Sequence, residues 1–167
     1  HARRGLELLE QSGLLREILP EAAAMLGVSQ PRQYHPEGDV WSHVLRMLDY
    51  FPGGLGADRD QRLAWAVLLH DIGKPATRST DERGVHFYDH ANKSAEIAEA
   101  ILRRLKFSNA DSETVLALIR HHMIFMTVKD MRPHRLKRFL RMPEFDLHLE
   151  LHRLDCLGSH GLLDCYE

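Results

Sequence analysis

Apolar residues recur three to four positions apart along most of the chain, the mark of helices that each bury one face. Leucines and alanines keep this spacing over residues 6–9 and 14–26, and Gly13 and Pro20 interrupt them, which predicts short packing helices. Residues 27–38, with Pro31 and Pro36, read as a loop. Asp39 is then placed to cap a helix carrying Val40, Trp41, Val44, Leu45 and Leu48, with His43 beside its apolar stripe. After a turn at 52–56, Asp58 or Asp60 is the expected cap of the next helix. There Leu63, Val67 and His70 fall at i, i+4 and i+7, so the pair His70-Asp71 closes an inward stripe before Gly73 and Pro75 stop the helix. Residues 76–88 read as a polar loop with a short hairpin around Glu82-Arg83-Gly84. Asp89 is positioned to cap a helix over 91–105 with His90 in its first turn, and further helices are predicted over 111–122, 133–141 and 145–158. Nothing alternates long enough to predict a sheet, and the expected class is all-α.

With 167 residues the chain suffices for one core and is short for two typical domains. The expected division is a helical lead-in over 1–34 packed on a globular unit over 35–161, followed by a tail over 162–167. Hydrophobic residues make up 44% and charged ones 28%, with a formal charge of -2, which argues against disorder and against a surface built to coat a polyanion. The longest apolar run, residues 63–69, is far below the roughly 20 residues of a membrane span. Two cysteines, Cys156 and Cys165, do not imply a disulfide framework in a chain of this length, and a reducing, cytoplasmic setting is expected.

Histidine is the outlier, with twelve residues. His43, His70-Asp71, His90, His121-His122 and Asp155 each lie in or beside a predicted helical stripe. Buried imidazole and carboxylate are costly unless paired or bound to a cation, and these ligand types suit divalent metals such as Zn, Fe, Mn, Ni or Co. The set is large enough for two ions. One is assigned to His43, His70, Asp71 and Asp155, with Asp71 bridging to a second held by His90 and one or both of His121 and His122. Periodicity does not choose between those two, because Val115, Leu118 and Ile119 flank both. Two such cations would lower the pKa of bound water and neutralise charge on a phosphoryl group. His70 and Asp71 would then be catalytic together with Lys74, whose ammonium could clamp a phosphate oxygen. Arg135 and Arg138, in a basic run that could equally be a solvated helix face, are candidates for holding a nucleotide or RNA backbone. Glu37, in the loop before His43, could orient a ligand.

The phrases YHPEGDVWSH, LLHDIGKPATR, FYDHANKSAE, LRRLKFSN, IRHHM and LHRLDCLGSHG, in this order, resemble the HD superfamily of metal-dependent phosphohydrolases. More narrowly they are similar to the HD domain of bacterial CCA-adding tRNA nucleotidyltransferases, and the lead-in GLELLEQSGLLREILPE is similar to the segment that joins the two parts of those enzymes. The resemblance covers roughly residues 1–161. It implies an HD-domain helical bundle and a hydrolase acting on nucleotides or RNA 3' ends, possible substrates including tRNA. The implied activities are 2',3'-cyclic phosphodiesterase, 2'-nucleotidase and phosphatase; the alternatives are a mononucleotide phosphatase or a tRNA-positioning module without catalysis. The paired-carboxylate nucleotidyltransferase head is absent from this sequence, so CCA addition is not expected of it, and the chain is either an excised domain, fused to such a head in the full-length protein, or a stand-alone relative.

Overall fold

The computed structural model describes residues 2–82 and 84–159. The expected tail over 162–167, His160, Cys165 and the central hairpin residue Arg83 lie outside them. The lead-in forms α1 (Ala2–Gln11), α2 (Leu14–Ile18) and α3 (Pro20–Ala23). Gly13, at φ +79°, takes the left-handed conformation that separates α1 from α2. Next come α4 (Val40–Asp49), α5 (Ala57–Leu69) and α6 (Lys74–Thr77). Strands β1 (Arg78–Asp81) and β2 (Gly84–Phe87) form an antiparallel hairpin, and α7 (His90–Arg104) and α8 (Asn109–His121) follow it. A 3-10 helix (His122–Asp130), α9 (Pro133–Leu140) and α10 (Phe145–Ser159) complete the described chain.

The expected all-α class holds, with the hairpin as its small β element. Leu15, Leu19, Ala22 and Met25 of the lead-in share one hydrophobic core with α4, α5, α7, α8 and α10. Trp41 Nε1 also donates to Glu10 Oε2 at 2.8 Å, which ties α4 to α1. No helix among the described residues is long and apolar enough to cross a membrane.

Local chemistry explains where several elements begin. Asp39 Oδ1 accepts from Ser42 N at 2.8 Å, and its Oδ2 accepts from Gly27 N at 2.6 Å, so one side chain caps α4 and closes the preceding loop. Two of the expected caps differ. Gly56 stands at the start of α5, and Asp60, inside the helix, accepts instead from Gly54 N and Leu55 N of the turn. Asp89 precedes α7 in a left-handed conformation that aims its carboxylate at the Asn92 amide rather than at the helix backbone. α8 starts earlier than its apolar pattern suggests, because Ser108 Oγ accepts from Asp111 N at 3.1 Å. The segment after it, where the apolar pattern predicts no helix, is the 3-10 helix. The sequence implies no disulfide framework, and Cys156 is disulfide-bonded.

Two glycines set how closely the helices around His43 and His90 approach. A Cβ on Gly73 would stand 2.6 Å from Ser94 N and 2.7 Å from His90 O. With hydrogen there instead, Gly73 N donates to the buried Ser94 Oγ at 2.9 Å, and the start of α7 sits against the turn that holds Asp71. Gly158 plays the same part between α10 and α4.

Candidate metal centre

The stripe of α5 delivers His70 and Asp71 into the interior. Leu63, Val67 and Leu69 are fully buried, and His70 and Asp71 are 1% and 2% exposed. Each buried aliphatic side chain stabilises by about 1.5–3 kcal/mol, which offsets part of the cost of carrying two polar groups inward. Around that pair, α4 supplies His43, α7 supplies His90 at its first residue, the start of the 3-10 helix supplies His122, and α10 supplies Asp155.

The imidazoles share one arrangement. His70 Nδ1 donates to Val67 O at 2.9 Å, His90 Nδ1 to Phe87 O at 2.8 Å and His122 Nδ1 to Ile119 O at 2.7 Å. His43 Nδ1 donates to Glu37 Oε1 at 2.8 Å. A carbonyl can only accept, so each Nδ1 carries the proton and each Nε2 turns a lone pair inward. The inward atoms form two groups. His43, His70 and Asp155 bring ligand atoms within 4.8 Å of one another, and so do Asp71, His90 and His122. Asp71 joins them: its Oδ2 lies 3.3 Å from His70 Nε2, and its Oδ1 lies 3.3 Å from His90 Nε2 and 3.8 Å from His122 Nε2.

These residues fit divalent cations. His90 Nε2 and His122 Nε2 face each other at 3.2 Å with both Nδ1 protons already committed to carbonyls, so the pair needs a cation or an extra proton between lone pairs. His70 Nε2 and Asp71 Oδ1 are buried without a hydrogen-bond partner among the described residues, and His43 Nε2 faces the Asp155 carboxylate at 3.0 Å. Imidazole and carboxylate are the donor set of catalytic divalent sites.

Electrostatics keep the two carboxylates ionised and two of the imidazoles neutral, while His43 is left protonated. Burial opposes charge on Asp71, but His70 and Lys74 hold its carboxyl well below the ordinary range. Burial likewise opposes charge on Asp155, and the neighbouring His43 holds it down. Burial, then the neighbouring His70, pushes His122 down to about 4, and burial lowers His90, so both are neutral imidazoles near pH 7. For His43 burial is outweighed by the Asp155 and Glu37 carboxylates, and its pKa rises to about 9. A cation at Nε2 would displace that proton.

Of the expected residues, the structure brings together His43, His70, Asp71, His90, His122, Asp155 and Lys74. Lys74 is buried, and its Nζ donates to Asp71 Oδ2 and to Gln30 Oε1, each at 2.6 Å. His121 stands apart: its Nδ1 donates to Ala117 O, and its ring packs against His148 at 5.8 Å. The place expected for His121 is taken by His122, because α8 ends at His121 and the tighter 3-10 turn directs the next side chain inward. Arg135 and Arg138 are exposed on α9 and do not line the cavity at the cluster.

Sequence reading missed His35 and Gln30. The loop carrying them is closed at its base by the Ser29–Asp39 bridge, with Gln30 N donating to Gly38 O at 3.0 Å. His35 Nδ1 shares Glu37 Oε1 with His43 at 2.8 Å, and Glu37, although burial opposes its charge, is held at about 2 by those two hydrogen bonds. The placing of His35 two residues before Glu37 is the available signal for His35; Gln30 has none. A cavity of about 440 Å³ opens over the cluster, lined by Asp71, His90, His122 and Asp155 on its floor and by Tyr34, Phe87, Tyr88 and Met126 farther out.

The family described as HD domain matches residues 40–152. Glu37 precedes that span and Asp155 follows it. The chain is similar to the Multifunctional CCA protein of Nitrosococcus oceani, 30% identical over 97% of this chain and 40% of the relative. It is 35% identical to the Multifunctional CCA protein of Aromatoleum aromaticum over 96% of this chain and 40% of the relative. The A-adding tRNA nucleotidyltransferase of Deinococcus radiodurans is 37% identical over 80% of this chain and 31% of its own length. The chain thus spans at most 40% of the length of these relatives.

Proposed function

From the premise that the chain belongs to the HD-domain family, we propose that it is a metal-dependent phosphohydrolase that opens 2',3'-cyclic phosphodiesters on nucleotides or RNA 3' ends. The observation that carries this reading is the position of Asp71, whose two oxygens reach the two groups of inward Nε2 atoms at the floor of an open cavity. His43, His70, Asp155 and Asp71 would hold one divalent ion, and Asp71, His90 and His122 a second. Bound there, such ions supply an acidified water and neutralise charge on a phosphoryl group.

The chain's own groups do the rest. Lys74 spends two of its three N–H donors on Asp71 and Gln30, and the third is available to a nonbridging phosphate oxygen in the cavity. Glu37 fixes the tautomer and direction of His43. An RNA end as substrate is supported by the relatives, whose names describe CCA and tRNA nucleotidyltransferase proteins. A mononucleotide phosphatase would use the same ligands, and the two are separated by substrate.

The test is hydrolysis of 2',3'-cyclic AMP and of AMP by metal-stripped protein, titrated in turn with Mn, Ni, Co, Zn and Mg. The expected result is cyclic-nucleotide hydrolysis restored by a transition metal and lost in a folded Asp71→Ala variant. Hydrolysis of AMP alone would replace the diesterase by a phosphatase. Inactivity on both, in protein shown to bind the metals, would overturn hydrolysis in favour of a tRNA-positioning module.

A further inference from the structure

Nine large apolar side chains stand exposed among the described residues, and four of them, Tyr34, Tyr88, Met123 and Met126, line the cavity above the metal cluster. Exposed apolar area gathered in one place marks a binding surface. Its shape and chemistry narrow the ligand. The Tyr88 ring stacks on His86 with centroids 5.1 Å apart and planes 12° from parallel. His86 is held in turn by Asp81 Oδ1, 2.8 Å from its Nε2. Tyr88 is 69% exposed although one face is covered by His86, so the other is open to a planar partner. Tyr34, 58% exposed, adds a second aromatic from the loop ahead of α4. Flat, half-wet aromatic walls suit a heterocycle better than an aliphatic chain, which gains from enclosure in a dry pocket. Methionines at the edge adapt to ligands of differing outline.

A second observation lies between this wall and the floor. The Lys74 ammonium must face an oxygen, so its contact with Gln30 Oε1 fixes the amide and leaves Gln30 Nε2 buried without a partner among the described residues. Gln30 is 5% exposed and lines the same cavity. A buried amide N–H without an acceptor is costly, and a ligand oxygen would satisfy it.

We propose that Tyr88, backed by His86 and joined by Tyr34, forms a nucleobase-binding subsite, and that Gln30 Nε2 donates to a phosphate oxygen of the same ligand. The cavity, at about 440 Å³, is of the size that holds small-molecule ligands. The inference rests on the hydrolase reading for the position of the phosphate and adds the part of the substrate that is recognised.

The test is calorimetric titration of manganese-loaded protein with adenosine 3'-monophosphate and with glycerol 3-phosphate, which carries the phosphate without a base. Wild type is expected to prefer the nucleotide, and Tyr88→Ala to lose roughly tenfold of that preference, the scale of one base stacked on one aromatic side chain. Tyr88→Trp, which keeps a stacking face, is expected to retain it. Gln30→Leu is expected to weaken both ligands. Equal binding of the two ligands by wild type, or full preference in Tyr88→Ala and Tyr34→Ala, overturns the subsite. A nucleotide preference in protein that hydrolyses neither 2',3'-cyclic AMP nor AMP leaves the subsite standing and removes the hydrolase reading.

Discussion

Gly158 lies against His43 so closely that a side chain there would begin 3.2 Å from the imidazole Cε1, and 2.6 Å from Met47 Cγ. Hydrogen at this position lets α10 settle on α4 and brings Asp155 Oδ1 to 3.0 Å from His43 Nε2. Gly158→Ala is therefore expected to destabilise by about 1–3 kcal/mol through overpacking, and to weaken metal binding as Asp155 is displaced. Gly5→Ala is the control, since Gly5 lies in α1 with open space around its Cβ and alanine there should stabilise by roughly 0.5–1 kcal/mol. Urea denaturation and metal titration of both variants decide; a Gly158→Ala protein as stable as the control would show that the close contact is immaterial.

How much of this was legible depends on the kind of signal each residue leaves. The stripe Leu63, Val67, His70 is readable because helical period and burial coincide, and Asp39 because a capping side chain precedes its apolar run by one residue. Adjacent helical positions differ by about 100°, so the choice between His121 and His122 depends on the residue at which α8 gives way to the 3-10 helix. That boundary has no marker in the apolar pattern. Gln30 is illegible for another reason: its position is set by a bridge between Ser29 and Asp39, a contact that closes a loop without periodicity. Arg135 and Arg138 show the opposite failure, since a run of charge signals exposure but not what it faces.

The two adjacent histidines give a direct comparison. His122 contributes to the group that includes His90 and Asp71, whereas His121 packs against His148. His122→Ala is expected to reduce tightly bound divalent metal from two equivalents to one, and His121→Ala to leave it at two. Elemental counting of dialysed protein checks both, and loss of metal from the His121 variant would contradict the geometry.

Glu37 acts on the site through His43. Its Oε1 accepts from the Nδ1 atoms of both His35 and His43 at 2.8 Å, and groups that orient a ligating imidazole typically change metal affinity by 10–100-fold when altered. Glu37→Gln keeps the shape, removes the charge and is expected to weaken metal binding on that scale. Competition against a chromophoric chelator measures it. Unchanged affinity would mean that packing in α4 alone orients the ring.

His148 supplies a pH dependence separate from the metal ligands. It is buried on α10, its Nδ1 has no partner among the described residues, and it shares a small cavity with Glu113 and Glu144. Burial, reinforced by the charge of His121, lowers its pKa to about 4, against about 6.5 for an imidazole in an unfolded chain. Between those values the unfolded chain holds a proton that the native protein lacks, so native stability rises with pH across this window. The native protein therefore loses stability as pH falls from about 6.5 toward 4, by about 2 kcal/mol at pH 5, taking about 1.4 kcal/mol per pH unit. His148→Leu fills similar space without titrating, and its stability relative to wild type is expected to improve by that amount between pH 7.5 and pH 5. Urea denaturation of both proteins at the two pH values reads the change directly. A difference that stays constant with pH would show that His148 binds its proton equally well folded and unfolded, and that the acid sensitivity of the fold lies with other groups.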